Sequence, residues 1–230
     1  MYEKKPWLKF YGDVPASIDY PRISMHESLM RSAEKNPDSI AYDFMGTRSS
    51  YREFAADIER LANALSYLGL AKGDCITIAM PTTPQGILCF YAANRLGAVA
   101  SMIPPESTAE ETRFYLNISK SKFALILDVT YPYFMEIMDD TDLEVIIVTN
   151  VGDCLPGAKR IGYYMTKGRK FAPSPKGSHV RWWKNLMKKR YPPAPKEDGN
   201  ADSLPRFPFF MDSVSASAST PYSWAEAPVS

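Results

Sequence analysis

The chain has 230 residues, a length that can bury the core of one or two domains. Its residues are 45% hydrophobic and 23% charged, as in ordinary globular proteins, so a wholly disordered chain is excluded. The net charge of +1 hides an uneven distribution, because residues 1–157 carry 14 bases and 21 acids whereas residues 158–196 carry 12 bases and no acid. Such a basic block in a nearly neutral chain favours an anionic partner.

Residues 75–94 contain no charged side chain, which raises the question of a membrane-spanning helix. Pro81 and Pro84 interrupt the stretch, so it is better interpreted as a buried strand, a turn and a buried helix. The cysteines are odd in number and widely spaced, which indicates reduced core thiols of a cytosolic protein rather than disulfides. They are Cys75, Cys89 and Cys154.

Helix starts are predicted from capping boxes, in which a Ser or Thr side chain caps a backbone N–H and a Glu three residues later reaches back. Three pairs have this spacing: Ser24 with Glu27, Ser50 with Glu53, and Ser107 with Glu110. The second pair predicts a long helix that ends at Gly69. The third predicts a helix that carries Phe114, Leu116 and Ile118 as its apolar residues.

Short apolar segments alternate with these helices and predict strands that are apolar on both faces. Strands of this kind belong to a parallel sheet covered on both sides. The sequence therefore predicts an α/β fold with a largely parallel sheet and flanking helices. The predicted strands span residues 40–44, 75–80, 98–103, 123–128 and 144–149, and further helices span residues 85–96 and 133–138.

The domain organisation follows from changes in composition along the chain. Residues 1–20 are interpreted as a lead-in, residues 21–205 as one partial domain, and residues 206–230 as a low-complexity tail. Within the domain, residues 158–196 form a basic connector rich in Gly, Pro, Lys and Arg, with one helix predicted over residues 180–190.

Five motifs in order give the chain a resemblance to a known family. Together they resemble the start of the AMP-forming acyl-CoA synthetases of the adenylate-forming superfamily, most of all the long-chain fatty-acid CoA ligases. The resemblance covers about residues 7–205, and Pro104 departs from it, since the family usually has Asn or His there. The motifs are Ser24-Met25-His26-Glu27, Ser50-Tyr51-Arg52-Glu53, Lys72-Gly73-Asp74, Met80-Pro81-Thr82-Thr83-Pro84-Gln85 and Phe90-Tyr91-Ala92-Ala93-Asn94-Arg95-Leu96-Gly97-Ala98-Val99.

The resemblance implies an incomplete N-terminal part of that fold, and in the intact family a reaction of fatty acid, ATP and CoA with Mg²⁺. The family binds phosphate with a glycine-rich loop, because glycine lets backbone N–H groups approach closely. At the matching place this chain has Leu204-Pro205-Arg206-Phe207-Pro208, and no glycine follows Gly199. We therefore assign no catalytic, cofactor-binding or metal-binding residue, and expect no bound cofactor and no adenylation by this chain alone.

Two explanations of the tail are open. Residues 213–220, a run of Ser and Ala with one Val and one Thr, are consistent with a natural flexible end. A frameshift or truncation would also explain why the family pattern and glycine are lost together after about Pro205. The sequence favours the second explanation, as a hypothesis.

The segment from Pro81 to Gln85 has two interpretations. It is either a ligand-facing turn at the carboxyl end of a strand, or a turn that starts a helix, with Pro84 at the first helical position. The second is favoured because no phosphate-type glycines accompany it. The histidines, His26 and His179, lie far apart, so His26 is interpreted as a helix-surface residue and no metal site is expected.

The basic connector offers the main alternative function. Its second half interleaves aromatic residues with bases, as an anionic membrane or nucleic-acid surface does. The competing interpretation, which the sequence favours, is a solvated face whose acidic neighbours lie elsewhere in the fold or in a part of the enzyme that this chain lacks. Of the two functional versions, peripheral membrane contact is favoured over nucleic acid because it suits a fatty-acid substrate. The residues concerned are Arg181, Lys184, Lys188, Lys189 and Arg190, with Trp182, Trp183, Leu186 and Met187 as an apolar stripe.

Overall fold

The structure is a computed structural model that describes residues 5–17, 21–163, 165 and 177–195. Its helices are α1 (Met25–Lys35), α2 (Tyr51–Tyr67), α3 (Pro84–Arg95), α4 (Ala109–Ser119), α5 (Tyr131–Ile137), α6 (Gly157–Tyr163) and α7 (Trp183–Lys188). Its strands are β1 (Ile40–Phe44), β2 (Thr47–Ser50), β3 (Cys75–Ala79), β4 (Val99–Met102), β5 (Ser121–Leu127), β6 (Val145–Thr149) and β7 (Val180–Trp182). Short 3₁₀ turns, at Pro6–Phe10 and Val151–Cys154 among other places, join these elements.

One of the three predicted capping boxes is confirmed in full. The Ser50 side chain accepts from the backbone N–H of Glu53, whose carboxylate accepts in return from the backbone N–H of Ser50. At α1 only half of the box forms, because Glu27 pairs with Arg31 one turn later, at 2.7 Å.

The third predicted capping box is wrong by one residue. The cap of α4 is Thr108, and the carboxylate that returns is that of Glu111 rather than Glu110. A Thr–Glu pair binds the same two free backbone N–H groups at a helix start as a Ser–Glu pair does. The spacing alone therefore could not distinguish Ser107 with Glu110 from Thr108 with Glu111.

A small antiparallel hairpin precedes α2. The predicted strand β1 pairs with β2, which was not predicted, through a turn at Met45 and Gly46. Gly46 has φ +93°, a conformation that glycine adopts without strain. Thr47 ties the hairpin to the main body by donating through Oγ1 to the carbonyl of Cys154, at 2.8 Å.

The main sheet is five-stranded and parallel, in the order β4-β3-β5-β6-β7. Helices α3, α4 and α5 each connect one parallel strand to the next, as such crossovers require. This confirms the predicted α/β class and its largely parallel sheet.

Helices cover both faces of this sheet. Helices α2, α3 and α7 pack on one face, where Ile76, Leu125 and Ile147 point, and α1 lies outside α2 and α3. Helices α4 and α5 pack on the other, against Ile126 and Ile146. Among the described residues no helix combines the length and hydropathy that crossing a bilayer requires.

Helix α4 carries its apolar residues differently from the prediction. Leu116 is fully buried, as expected, but Phe114 and Ile118 are 46% and 48% exposed. Leu116 and Thr112 are the two positions of this helix that face the sheet closely enough to be buried. The helix therefore buries a narrower stripe than its composition suggested.

The helix predicted over residues 180–190 is corrected by the structure. Its first three residues form β7, and only Trp183–Lys188 is helical. Pairing with β6 satisfies the backbone of residues 180–182 in the sheet. Trp183 and Leu186 are 6% and 2% exposed, because they pack on the same face as α2. The predicted apolar stripe is thus divided between a strand and the core, and it does not form a free surface.

A small ionic cluster fastens α1, α2 and α3 to one another. Glu59 of α2 lies 2.8 Å from Nε of Arg95 and 3.3 Å from Nε2 of His26. Arg95 also donates to the carbonyl of Pro195, at 3.0 Å. The contact with His26, supported by Arg95, keeps the pKa of the Glu59 carboxyl below its usual range. Burial acts on this pKa in the opposite direction. His26 has a side chain only 13% exposed, so its assignment as a helix-surface residue was wrong.

Burial of both sheet faces can be tested with two adjacent residues of β6. Ile146 and Ile147 are both fully buried but point to opposite faces. Replacing either with Ala should lower the free energy of unfolding by about 2–5 kcal/mol, from lost apolar burial and the cavity left behind. Ile40→Ala, at a side chain 55% exposed, is the control and should cost under about 1 kcal/mol. Urea unfolding of the full chain measures the free energy of unfolding for all three variants. A loss as small as that of the control for Ile146→Ala or Ile147→Ala would mean that the corresponding face of the sheet is open.

Candidate functional site

The carboxyl ends of the parallel strands gather polar side chains at one edge of the sheet. Strands β3, β5 and β6 end at Ala79, Leu127 and Thr149, and each is followed by a turn. In open α/β sheets this edge is where ligands bind. We refer to Thr83, Gln85, Asp128, Thr149 and Asn150 as the carboxyl-edge cluster.

The turn after β3 starts a helix, as favoured from the sequence. Thr83 is the N-cap of α3 and Pro84 follows at the first helical position. Gln85 is fully buried, and its Nε2 donates to Oγ1 of Thr149 and to the carbonyl of Asn150, both at 3.2 Å. The glutamine thereby locks the start of α3 to the end of β6, across the sheet.

Asp128 and Asn150 complete the cluster. The Asn150 side chain donates through Nδ2 to a carboxylate oxygen of Asp128, and its Oδ1 accepts from the backbone N–H of Gly152 at 2.7 Å. A Cβ at Gly152 would lie 2.8 Å from Oδ1 of Asn150 and 3.0 Å from the ring of Tyr163. Only glycine fits there without displacing the contact that caps the turn.

Burial controls the electrostatics of this edge. Desolvation raises the pKa of the Asp128 carboxyl above its ordinary value, and the hydrogen bond from Asn150 opposes this shift. Asp153 is 5% exposed at its side chain and pairs with Lys184 at 2.7 Å. Desolvation by burial, helped by Asp153, raises the pKa of the Cys154 thiol to about 12, which makes it a poor nucleophile at neutral pH.

The cluster still offers unused acceptors. Within the described part of the chain, Oε1 of Gln85 and Oγ1 of Thr83 are buried and make no hydrogen bond. Buried polar atoms are normally paired, so these two positions can receive donors from outside the described residues. Among the described residues the edge therefore offers one amide oxygen, which can only accept, and one hydroxyl, which can accept or donate.

The carboxylates and the glycine of this edge face partners within the described chain. Its carboxylates are committed, Asp128 to Asn150 and Asp153 to Lys184. No group of three His, Cys, Asp or Glu side chains that could hold a metal is present in the described ranges. Gly152, the glycine of this turn, faces Asn150 and Tyr163 rather than an open cradle. His179, the second histidine, lies apart, with Nδ1 at 3.3 Å from the carbonyl of Glu144.

The five cations predicted to contact a membrane differ in their partners and exposure. Lys184 is paired with Asp153 at 2.7 Å, so its charge is compensated within the chain. Lys188, Lys189 and Arg190 lie together at the end of α7, beside α2, and are exposed. Arg181 lies on β7, where its guanidinium donates to the carbonyls of Ser178 and Val180.

Sequence reasoning missed the roles of Asp128, Asn150 and Gln85. A signal for the first two was present, because each is the polar residue that directly follows a buried strand. Gln85 carried no such signal. Its burial depends on the packing of α3 against the end of β6, and its partner Thr149 lies 64 positions away in the chain.

Comparison with known proteins identifies the family. Residues 29–201 match the family of the AMP-binding enzymes. The chain belongs to this family. It is 29% identical over 171 residues to the long-chain-fatty-acid–CoA ligase of Bacillus subtilis strain 168, and the match covers 74% of this chain and 30% of that ligase. The chain thus spans about 30% of the length of that relative.

Solved structures confirm the fold of this chain. A long-chain-fatty-acid-CoA ligase from Archaeoglobus fulgidus matches with a TM-score of 0.55 and 21% identity, over 60% of this chain and 30% of that chain. The anthranilate CoA ligase AuaEII, solved with anthranoyl-AMP, matches with a TM-score of 0.63 and 15% identity, over 79% and 31%. The place at which the family's glycine-rich loop was sought, after Asp202, lies outside the described residues.

Replacing Asn150 with Ala tests the carboxyl-edge cluster. The change removes the donor to Asp128 and the acceptor for Gly152, which should cost about 1–3 kcal/mol of unfolding free energy. It should also raise the pKa of Asp128 further, because the folded state then stabilises the carboxylate less.

The sign of the pH dependence follows from that shift. A carboxyl whose folded pKa is raised destabilises the fold above its ordinary pKa, and it costs nothing when both states are protonated. Asn150→Ala should therefore be more destabilising at about pH 7 than at about pH 3. Exposed Asn117→Ala is the control, measured by denaturation at both pH values. An equal loss at both would show that Asp128 is not coupled to Asn150.

Proposed function

We propose that this chain is the first part of an AMP-forming fatty-acid–CoA ligase, whose complete reaction consumes ATP, a fatty acid and CoA. The observation that carries the proposal is the similarity to a long-chain-fatty-acid–CoA ligase over 74% of the chain. The parallel sheet and its helices would serve as the scaffold on which such a ligase builds its site.

We also propose that residues 1–230 alone form no acyl-adenylate. Acyl-adenylate formation needs preorganised donors or cations at the phosphates, because charge develops there. The described carboxyl edge offers an amide oxygen, a hydroxyl and paired carboxylates instead of free cations, and no glycine follows Gly199 in the sequence. We therefore derive no catalytic step from these residues.

Purified residues 1–230 should show no ATP–pyrophosphate exchange that depends on a long-chain carboxylate. An intact long-chain-fatty-acid–CoA ligase, assayed in parallel, is the positive control. Carboxylate-dependent exchange by the chain would contradict the proposed inactivity.

Sequencing the gene from about codon 195 onward separates the two explanations of the tail. It also tests the proposal that the chain is the first part of a ligase. A corrected frame that runs into a glycine-rich loop supports the first part of a ligase. A genuine stop, with no ligase motif in any downstream frame, would contradict it.

A second candidate function is peripheral contact with an anionic membrane. It is favoured by the exposed cluster of Lys188, Lys189 and Arg190 at the end of α7. Trp183 and Leu186 are buried in the core, so the contact would be electrostatic adsorption without insertion of these side chains. Cytoplasmic localisation is part of this proposal, since anionic lipid is concentrated on the cytoplasmic leaflet.

Replacing Lys188, Lys189 and Arg190 together with Ala tests this second function. At about 1 kcal/mol per base near an anionic surface, binding to phosphatidylglycerol-containing vesicles should fall on the order of 100-fold. The matched control replaces three exposed bases elsewhere, Lys9, Arg22 and Lys35. Co-sedimentation at low and high salt measures both variants, and binding that ignores salt, or an equal loss in the control, would exclude a specific basic face.

A further inference from the structure

A groove of about 380 Å³ lies between the end of α2 and the segment that holds β7 and α7. This volume falls within the range of small-molecule sites in proteins. Its apolar lining comes from Tyr67, Leu68, Trp182, Leu186 and Tyr191. The function proposed above makes no use of it.

Apolar groups form the floor and one wall of the groove. Leu186 is 2% exposed and Leu68 is half-buried, and both belong to the core that covers one face of the sheet. The rings of Tyr67 and Tyr191 stand beside each other with centroids 5.2 Å apart. The floor is thus fixed by core packing, and the wall by two aromatic rings whose planes are tilted by 47°.

Two cations stand at this apolar groove. The Arg181 guanidinium donates to the carbonyls of Ser178 at 2.7 Å and Val180 at 2.9 Å, which are neutral acceptors that leave its charge uncompensated. The Lys189 ammonium lies 5.8 Å from the ring centroid of Tyr67 and 5.5 Å from that of Tyr191. Neither cation forms an ion pair with an acidic residue in the described ranges.

Apolar lining and uncompensated cations together define the chemistry of the ligand. We propose that this groove binds a single-chain anionic amphiphile, with its alkyl chain against Leu68 and Leu186 and its anionic head group at Arg181 and Lys189. Burial of the chain would supply affinity, and the two cations would select for negative charge and fix its direction. A concave groove walled by two tyrosines admits one chain, whereas adsorption to a bilayer needs only an exposed basic face.

This inference does not depend on the ligase proposal, because it rests on the groove and its cations alone. Isothermal titration of the full chain with decanoate, kept below its micelle concentration, should show saturable binding with one ligand per chain. Affinity should rise roughly two- to fourfold for each added methylene from octanoate to decanoate, and decanol should bind more weakly than decanoate. Absence of saturable decanoate binding would overturn the proposal.

Two pairs of substitutions distinguish decanoate binding in the groove from nonspecific attraction to the basic surface. Arg181→Gln with Lys189→Gln should weaken decanoate binding about tenfold, because both head-group contacts are lost. Lys188→Gln with Arg190→Gln removes the same charge from the neighbouring surface outside the groove and should leave binding within about twofold. An equal loss in the two pairs would overturn the proposal in favour of a diffuse basic surface.

Two further variants test whether a loss of decanoate binding is caused by misfolding. Arg181→Lys with Lys189→Arg keeps both charges and should restore binding to within a few-fold of the original chain. Asn185→Trp places a bulky ring at an exposed groove position and should block decanoate while thermal unfolding stays unchanged. Unimpaired decanoate binding by folded Asn185→Trp, or binding to phosphatidylglycerol vesicles with none to monomeric decanoate, would also overturn it.

Discussion

Burial of β3, β5 and β6 on both faces is the constraint on which the rest of this structure depends. Their side chains are almost all inaccessible to water, so no charged residue can occupy these strands without a partner. Helices must then cover each face, which places α2, α3 and α7 on one side and α4 and α5 on the other. Carboxylate and amide side chains therefore lie where the strands end, whereas the hydroxyl of Thr77, in the middle of β3, is buried and donates to Oγ of Ser121.

That confinement explains the chemistry of the carboxyl edge. Asp128, Asn150 and Gln85 come together because each follows or abuts the end of a buried strand, where a polar side chain must be satisfied locally. Their hydrogen bonds hold β5, β6 and α3 in register. Oε1 of Gln85 and Oγ1 of Thr83 make no hydrogen bond within the described residues, so the edge keeps two polar atoms that are not used to hold these elements together.

The basic connector is divided by the same constraint. Its aromatic residues looked like partners of the neighbouring bases, but Trp183 and Leu186 are required to cover the sheet beside α2. Lys184 is drawn to buried Asp153, where an unpaired carboxylate would be costly. Within its described residues 177–195, a small group of cations around the end of α7 lies at the surface, with an apolar groove beside it. Binding by this region therefore depends on how the segment folds back against α2.

The sequence by itself determined the α/β class, the helix start at Ser50, the parallel strands and the family resemblance. These follow from local periodicity, capping chemistry and motif order, which need no long-range information. Tertiary structure alone decided that residues 180–182 join the sheet, that Lys184 meets Asp153, that His26 meets Glu59 and that Gln85 spans to Thr149. In each of these cases the partners lie far apart along the chain, and only the packing of helices on a sheet buried on both faces brings them within bonding distance.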